Sequence, residues 1–442
     1  MAGSRLSKRV AFGGSVRLQA VAEKVRTMKR TVHRYLSALA LLGGALAAQS
    51  CGVATDRQTR IDRVLQRYVD EGRIAGAVAL VLRDGHPMYE RAVGWSDKEA
   101  GRSMTTDTIF RIASQTKAIT STAVLSLVEE GRLGLDDPAG RYIPSFLKTS
   151  VAVRDGSSVA AVPGRRAVTV RDLLTHTSGI SYGTDAEVAT VYEAKALGPA
   201  AGFGWYTADK SEPICDTMER LGTLPFVAQP GEKWVYGYST DVLGCIVERA
   251  SGVTLDEYVR THITEPLEMT DTRFFVRPED RGRFAAVYGS GADGRAVRAP
   301  DGPKGQGNYV DGPRRSFSGG AGLTSTAHDY ARFLEMIRNG GALGSVRILA
   351  PRTVELMTTN QVGTLHSSNG LGFGLGFQTT DRYGAAGMEA VGSFGWGGAY
   401  GSLYRVDPKA RLVMVLMIQL LPNTTDIRDR FEPLVYQALV DP

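Results

Sequence analysis

The sequence predicts a mixed α/β fold of the α+β kind, an antiparallel sheet flanked by helices with a mainly helical second lobe. Three observations carry that reading. Helix and strand patterns occur together near the N-terminal side of the chain, and they return together at its C-terminal end. Between them, from about Leu133 to Gly320, the texture changes to short apolar segments divided by Gly, Pro and polar clusters. With 442 residues and 43% hydrophobic content, the chain can bury a full core. The expected organisation is a leader over 1–50 and one folded unit over 51–442. In that unit an α/β lobe (about 56–132 and 320–442) is closed by both chain ends around an inserted lobe (about 133–319). No internal repeat is visible.

The leader reads as a targeting segment. Lys29, Arg30 and Arg34 precede an apolar run from Tyr35 to Leu46, the charged and hydrophobic regions of an export signal. Met28 immediately before Lys29 offers an alternative start, and Ala45-Leu46-Ala47 offers a peptidase site. The run is about a dozen residues, too short to span a bilayer. An imperfect lipobox ending in Cys51 makes a lipid anchor the lesser option. The expected location is therefore the periplasm or outside the cell. The first fifty residues carry nine Lys/Arg and one Glu, so the formal charge of +6 becomes about −2 without them. That balance gives no basis for nucleic-acid binding. The three cysteines and six scattered histidines form no metal-ligand spacing and imply no cofactor, which leaves Cys215 and Cys245 free to pair in an oxidising compartment.

Each element has a local reason. Ile61, Val64, Leu65, Tyr68 and Val69 recur at helical spacing. Ala75 to Arg83 and Pro87 to Gly94 flank Asp84-Gly85, a hairpin signature. Helices are expected near Val170 to Leu174, Asp241 to Ala250, Leu255 to Thr261 and Ala327 to Asn339, the last stopped by Gly340-Gly341. Gly289 to Arg315, dense in Gly, Arg, Asp and Pro, is expected to be a long loop. The end returns to strands, Gly401 to Arg405 and Leu412 to Gln419, and a final helix near Arg428 to Val440.

The chemistry begins at Ser114-Gln115-Thr116-Lys117, where a hydroxyl and an amine three residues apart share a helical face. A Ser hydroxyl needs a base to become a nucleophile, and a neutral Lys can be that base. Ser145-Phe146-Leu147-Lys148 has the same spacing. Context separates them. The strand-like Thr108 to Ala113 runs into Ser114, and Ile119, Ala123, Leu127 and Val128 follow at helical spacing, whereas Ser145 follows Pro144 with no long helix attached. Alone, Ser114 reads as a helix N-cap. Two further motifs reverse that: Tyr236-Gly237-Tyr238 before Asp241-Val242-Leu243-Gly244, and Trp396-Gly397-Gly398-Ala399 in a strand. A phenol can carry a leaving-group proton, and strand glycines let a substrate approach closely.

Together these motifs resemble the serine β-lactamase and penicillin-binding-protein superfamily, class C-related branch, closest to family VIII carboxylesterases. Val170-Arg171-Asp172-Leu173-Leu174-Thr175-His176-Thr177-Ser178-Gly179 and Gly319-Gly320-Ala321-Gly322-Leu323-Thr324-Ser325 extend the resemblance over about Arg60 to Ala438. It implies a β-lactamase-like fold with the active site between the lobes. Ser114 then stands as the acylated nucleophile, Lys117 as its base partner, and Tyr236 as the tyrosine of Y-x-N. The backbone N–H groups of Ser114 and Ala399 become the oxyanion hole, and Tyr238, Trp396, Gly397 and Gly398 become substrate contacts. Tyr238 replaces the Asn of Y-x-N, and Trp396 replaces the Lys of Lys-Thr-Gly, so the cation that anchors a lactam carboxylate is missing. The expected substrate is therefore a neutral small-molecule ester, with a short acyl chain. β-Lactamase, D-amino-acid peptidase and acyltransferase activities, or an inactive binding protein, are the alternatives on the same scaffold. The absence of G-x-S-x-G disfavours α/β-hydrolase chemistry.

Overall fold

The computed structural model describes residues 55–440 apart from 157, 199–209 and 303. The leader, Cys51 and the proposed cleavage site lie outside the described residues. Among those residues no helix is long and apolar enough to cross a membrane.

Helix α1 (Thr55–Asp70) buries Ile61, Leu65 and Tyr68 along the stripe that their spacing predicts. Strand β1 (Gly76–Arg83) is buried along its whole length. A continuous apolar run rather than an alternating one follows from cover on both faces. It turns through Asp84 (φ 53°) and Gly85 (φ 76°), two positive φ values that suit the tight hairpin to β2 (His86–Asp97). The short β3 (Arg102–Ser103) completes the edge.

The chain's other end supplies the rest of the sheet: β4 (Leu371–Phe373), β5 (Gln378–Thr380), β6 (Phe394–Gly397), β7 (Leu403–Asp407) and β8 (Leu412–Met417). The eight strands run in the order β4-β5-β6-β7-β8-β1-β2-β3, antiparallel throughout. β8 pairs directly with β1, Leu416 opposite Ala79 and Val415 opposite Leu80, so the two ends of the chain close one sheet. Val78, Leu80, Val413 and Val415 share a core with Phe333 and Leu334 of a helix spanning Ala327–Arg338. Truncating one of these leucines to Ala costs about 2–5 kcal/mol. The C-terminal helix Ile427–Ala438 lies against α1, and its Gln437 carbonyl accepts a 2.7 Å bond from Arg57.

The intervening segment differs from expectation in two places. It contains a three-stranded sheet, in which Ser150–Asp155 pairs antiparallel with Ser158–Pro163 and parallel with Pro225–Phe226. Its strands turn at Asp155-Gly156, a hairpin dipeptide. The stretch read as a long loop also opens on a hairpin, Tyr288–Ser290 against Ala296–Arg298. Beyond it, the Gln306 side chain bonds the backbone of Val287 and Ala299, so half-buried polar pairing ties the segment down. The helices appear as Val170–Leu174, Ser239–Ser251 (α2 below) and Leu255–Val259. Cys215, on helix Ile214–Gly222, forms a disulfide with Cys245 of α2.

Candidate active site

Ser114 sits where a strand becomes a helix. Phe110–Arg111 pairs with Thr324–Ser325, Ala113 adopts φ 43°, and one 3₁₀ turn (Ala113–Gln115) leads into a helix over Thr116–Glu129. A buried alanine in the left-handed region stores strain of the kind that accumulates at functional turns. The turn leaves the Ser114 side chain partly exposed while Lys117, one helical turn on, is only 2% exposed.

The Lys117 amine has three neighbours. Its Nζ lies 3.3 Å from Ser114 Oγ, 3.0 Å from Tyr182 Oη and 2.7 Å from the Gly320 carbonyl oxygen. Three is the donor capacity of an ammonium. A neutral amine donates to two acceptors and turns its lone pair to the third, and among these only the Ser114 hydroxyl has a proton that acyl chemistry needs removed. The same Nζ stands 4.7 Å from the centroid of the Tyr236 ring.

The glycine-rich segment after Phe317 exists to bring that carbonyl in. A Cβ on Gly319 would meet the Thr240 carbonyl oxygen at 2.5 Å, and one on Gly320 would meet Asp241 Oδ2 at 2.4 Å. Only glycine fits between the Ser114 helix and α2. Asp241, wholly buried, accepts from Ser318 Oγ and from the Gly320 N–H at 3.1 Å. Burial pushes its carboxyl up, against the opposing pull of Lys117 and of the Ser318 hydrogen bond.

The facing wall is aromatic. Tyr236 accepts a 3.1 Å bond from Trp396 Nε1 and stacks on Trp234 at 5.8 Å and 14°. His366 and Phe373 pack on the Trp234 ring, with centroids 4.4 and 5.5 Å away. Buried His176 fills in behind Tyr236, and desolvation, helped by Lys117, lowers its pKa so that it is a neutral ring. The Val170 to Gly179 motif is the scaffold of this wall. A capping box between Thr169 and Asp172 starts its helix, Arg166 pairs with Asp172, and the His176 carbonyl accepts the Val235 N–H at 2.7 Å. The motif then delivers Tyr182, the residue that sequence reasoning missed. Burial, and then the neighbouring Tyr236, Asp241 and Tyr238, hold the Tyr182 phenol well above its usual pKa. It therefore serves Lys117 as a neutral hydrogen-bonding partner.

Tyr238 requires a correction. Expected to touch substrate, it is 1% exposed, its hydroxyl accepts the Gly198 N–H at 3.0 Å, and its ring packs edge-on to Tyr182. Tyr236 stands beside the Lys117 amine and bonds Trp396, whereas Tyr238, at the N-terminus of α2, is buried against Tyr182. Trp396, half-buried on β6, commits its indole N–H to Tyr236, a contact 160 residues apart in the chain that no local pattern signals.

On the sheet side, Gly398 explains its own identity. A Cβ there would lie 2.6 Å from the Ile112 carbonyl oxygen and 2.5 Å from Ser402 Oγ. The end of β6 can thus press against the turn carrying Ser114. Among the described residues the Ala399 N–H donates to no protein acceptor. A hydroxyl, an amine and two phenols gathered beside a free backbone N–H define a site suited to acyl transfer through a serine. Among the described residues no group of side chains could hold a metal ion.

Comparison with known proteins agrees with the fold. The chain belongs to the β-lactamase family, whose model matches residues 61–437. It is 38% identical over 381 residues to Esterase EstB of Burkholderia gladioli, covering 82% of this chain and 91% of that protein. It is 31% identical over 399 residues to the lovastatin esterase of Penicillium rubens, covering 83% and 94%. Among solved structures, EstCE1, a hydrolase with promiscuous acyltransferase activity, superposes with a TM-score of 0.72 at 28% identity, covering 87% of this chain and 98% of that one.

Proposed function

We propose that this protein is an exported carboxylesterase that cleaves neutral, short-chain acyl esters through an acyl-enzyme on Ser114. Lys117 takes the Ser114 proton as Oγ bonds to the ester carbonyl carbon. The resulting oxyanion sits between the N–H groups of Ser114 and Ala399. Tyr236 delivers a proton to the departing alkoxide, and water, activated by the same groups in reverse, then releases the acid. The observation that carries the substrate reading is Trp396. It fills the position of a lactamase cation with an indole whose only donor is spent on Tyr236. A substrate carboxylate finds no partner from that residue, whereas a neutral ester loses nothing. The rings of Trp234, His366, Phe373 and Trp396 pack on one another beside Tyr236, an apolar surface that supports a small neutral acyl group. Relatives named as esterases support the reaction class. The Cys215–Cys245 disulfide supports an oxidising compartment.

The test is a series of p-nitrophenyl esters of increasing acyl length run beside nitrocefin. The reading expects kcat/KM to peak at short acyl chains and to exceed that for nitrocefin. Trp396→Lys should shift the ester-to-nitrocefin ratio toward nitrocefin. A wild-type enzyme faster on nitrocefin than on every ester would move the assignment to a β-lactamase. Protein recovered from the native host should begin between residues 48 and 51, and an intact Met1 or Met28 would overturn export.

A further inference from the structure

We infer that Arg428, on the C-terminal helix, is a positioning residue that aims the Ala399 N–H into the oxyanion hole. The inference rests on Ser114 being the acylated residue. Arg428 Nη2 donates to the Gly398 carbonyl at 2.6 Å, and its Nε donates to the Gly401 carbonyl at 2.8 Å. The Gly398 carbonyl and the Ala399 N–H belong to one peptide unit. Because that unit is planar and trans, its C=O and N–H point in opposite directions. Fixing the oxygen on the helix side therefore fixes the hydrogen on the Ser114 side.

The need for such an anchor follows from the sequence. Gly397 and Gly398 precede the peptide, and glycine imposes the weakest barrier to a backbone flip. One lone pair of the Gly398 oxygen already accepts the Gly401 N–H at 3.0 Å, which closes the turn. Arg428 takes the second. A flip would break both bonds, one of them charge-assisted. The guanidinium also polarises the peptide, which strengthens its N–H as a donor.

Arg428 is suited to this and to little else. Burial lowers its pKa, offset by Asp429 and Glu432, yet among the described residues no carboxylate lies within salt-bridge distance. A half-buried cation that answers carbonyls rather than a carboxylate is organised around the backbone turn. A Cβ on Gly397 would come within 3.1 Å of Arg428 Nη1, so the glycine also makes room for the guanidinium.

The test uses Arg428→Met and Arg428→Lys in the full chain, with neutral p-nitrophenyl butyrate and the carboxylate-bearing mono-p-nitrophenyl succinate as substrates. Two inhibitors complete it: an alkyl trifluoromethyl ketone, to which Ser114 adds to leave an oxyanion in the hole, and the matching methyl ketone, which mimics the ground state. Losing an oxyanion donor outright costs about 10²–10³ in kcat, so losing its aim should cost Arg428→Met about 10- to 100-fold. KM and methyl ketone affinity should stay within about threefold, and trifluoromethyl ketone affinity should fall in step with kcat/KM. Arg428→Lys, which keeps one donor, should fall between. If the Met variant does not fold, the Lys variant decides by the same split. An unchanged kcat, a rise in KM alone, or a loss confined to esters bearing a carboxylate would overturn the inference. The last would make Arg428 a substrate ligand. If the trifluoromethyl ketone binds wild type and Ser114→Ala equally, the nucleophile assignment has failed instead.

Discussion

The two walls of the cleft are built by different physics. The sheet-side wall is backbone held by exclusion, since Gly398 fits only because a Cβ would strike the Ile112 carbonyl oxygen at 2.6 Å. The facing wall is side chain held by side chain, with Tyr182 on Lys117 and Trp234 stacked behind Tyr236, whose hydroxyl takes the indole N–H of Trp396 reaching over from β6. A backbone wall tolerates no added atom but is indifferent to most chemistry. A side-chain wall tolerates changes of shape and is sensitive to each polar atom. The same reaction thus depends on one surface through geometry and on the other through hydrogen bonds.

The largest effect should come from the residue both walls serve. Ser114→Ala is expected to cut ester turnover by at least about 10³-fold with folding intact, because nucleophile and base act as a unit. Steady-state rates on purified protein check this, and retention of a substantial fraction of kcat would break the account. Next is the sheet wall. Gly398→Ala, a single methyl, should cost about 10²-fold in kcat through the displaced donor, with a stability loss of about 1–3 kcal/mol from overpacking. Should it stay fully active, the geometric account of this wall is wrong.

The tyrosines sharpen the contrast. Tyr236→Phe removes the hydroxyl expected to move a proton and should lose about 10²-fold or more. Tyr182→Phe removes only a neutral partner of Lys117 and should lose about 10-fold. Tyr238→Phe should leave kcat within about threefold while destabilising by about 1–3 kcal/mol, since the buried Gly198 N–H loses its acceptor. Kinetics and denaturant titration on the three variants give the ranking, and any order placing Tyr238 first contradicts the structural role that its burial assigns.

The smallest effect on catalysis is expected away from the site, where the readout is stability alone. Asp329, 7% exposed in the first turn of the Ala327–Arg338 helix, accepts from the Asp271 N–H at 2.7 Å. Burial, with the Asp271 charge adding, pushes its pKa up to about 6 from 3.8. A raised acid favours the protonated native state, so this stability is complete below about pH 4 and is lost as pH rises through 6, about 3 kcal/mol in all. Asp329→Asn cannot ionise. Its unfolding midpoint should therefore gain on wild type between pH 4 and pH 7, and a pH-independent difference would refute the shift.

What was legible in the sequence follows the same division. The Ser114 helix, the terminal strands and the Trp396-Gly397-Gly398 segment could be read because period, turn residues and glycines are local signals. The partnerships of the aromatic wall could not. Lys117 meets Tyr182 across 65 residues and Trp396 meets Tyr236 across 160; the motif before α2 singles out Tyr236, but nothing local marks Tyr182 or either pairing. The 150–163 hairpin did have a signal, Val-Ala-Val-Arg before Asp155-Gly156, hidden among short segments that read as loop. Arg428 looks like any cation near a helix start until its two carbonyls are seen.

The central claim is that a neutral ester acylates Ser114. The direct measurement is to quench the enzyme with a p-nitrophenyl ester within its first turnovers and locate the added acyl mass by peptide mass spectrometry. The account predicts one acyl group on the peptide containing Ser114, absent from Ser114→Ala and accumulating in Tyr236→Phe if release is slowed. Acyl mass on another residue, or full turnover by Ser114→Ala with no acylated peptide, would contradict it.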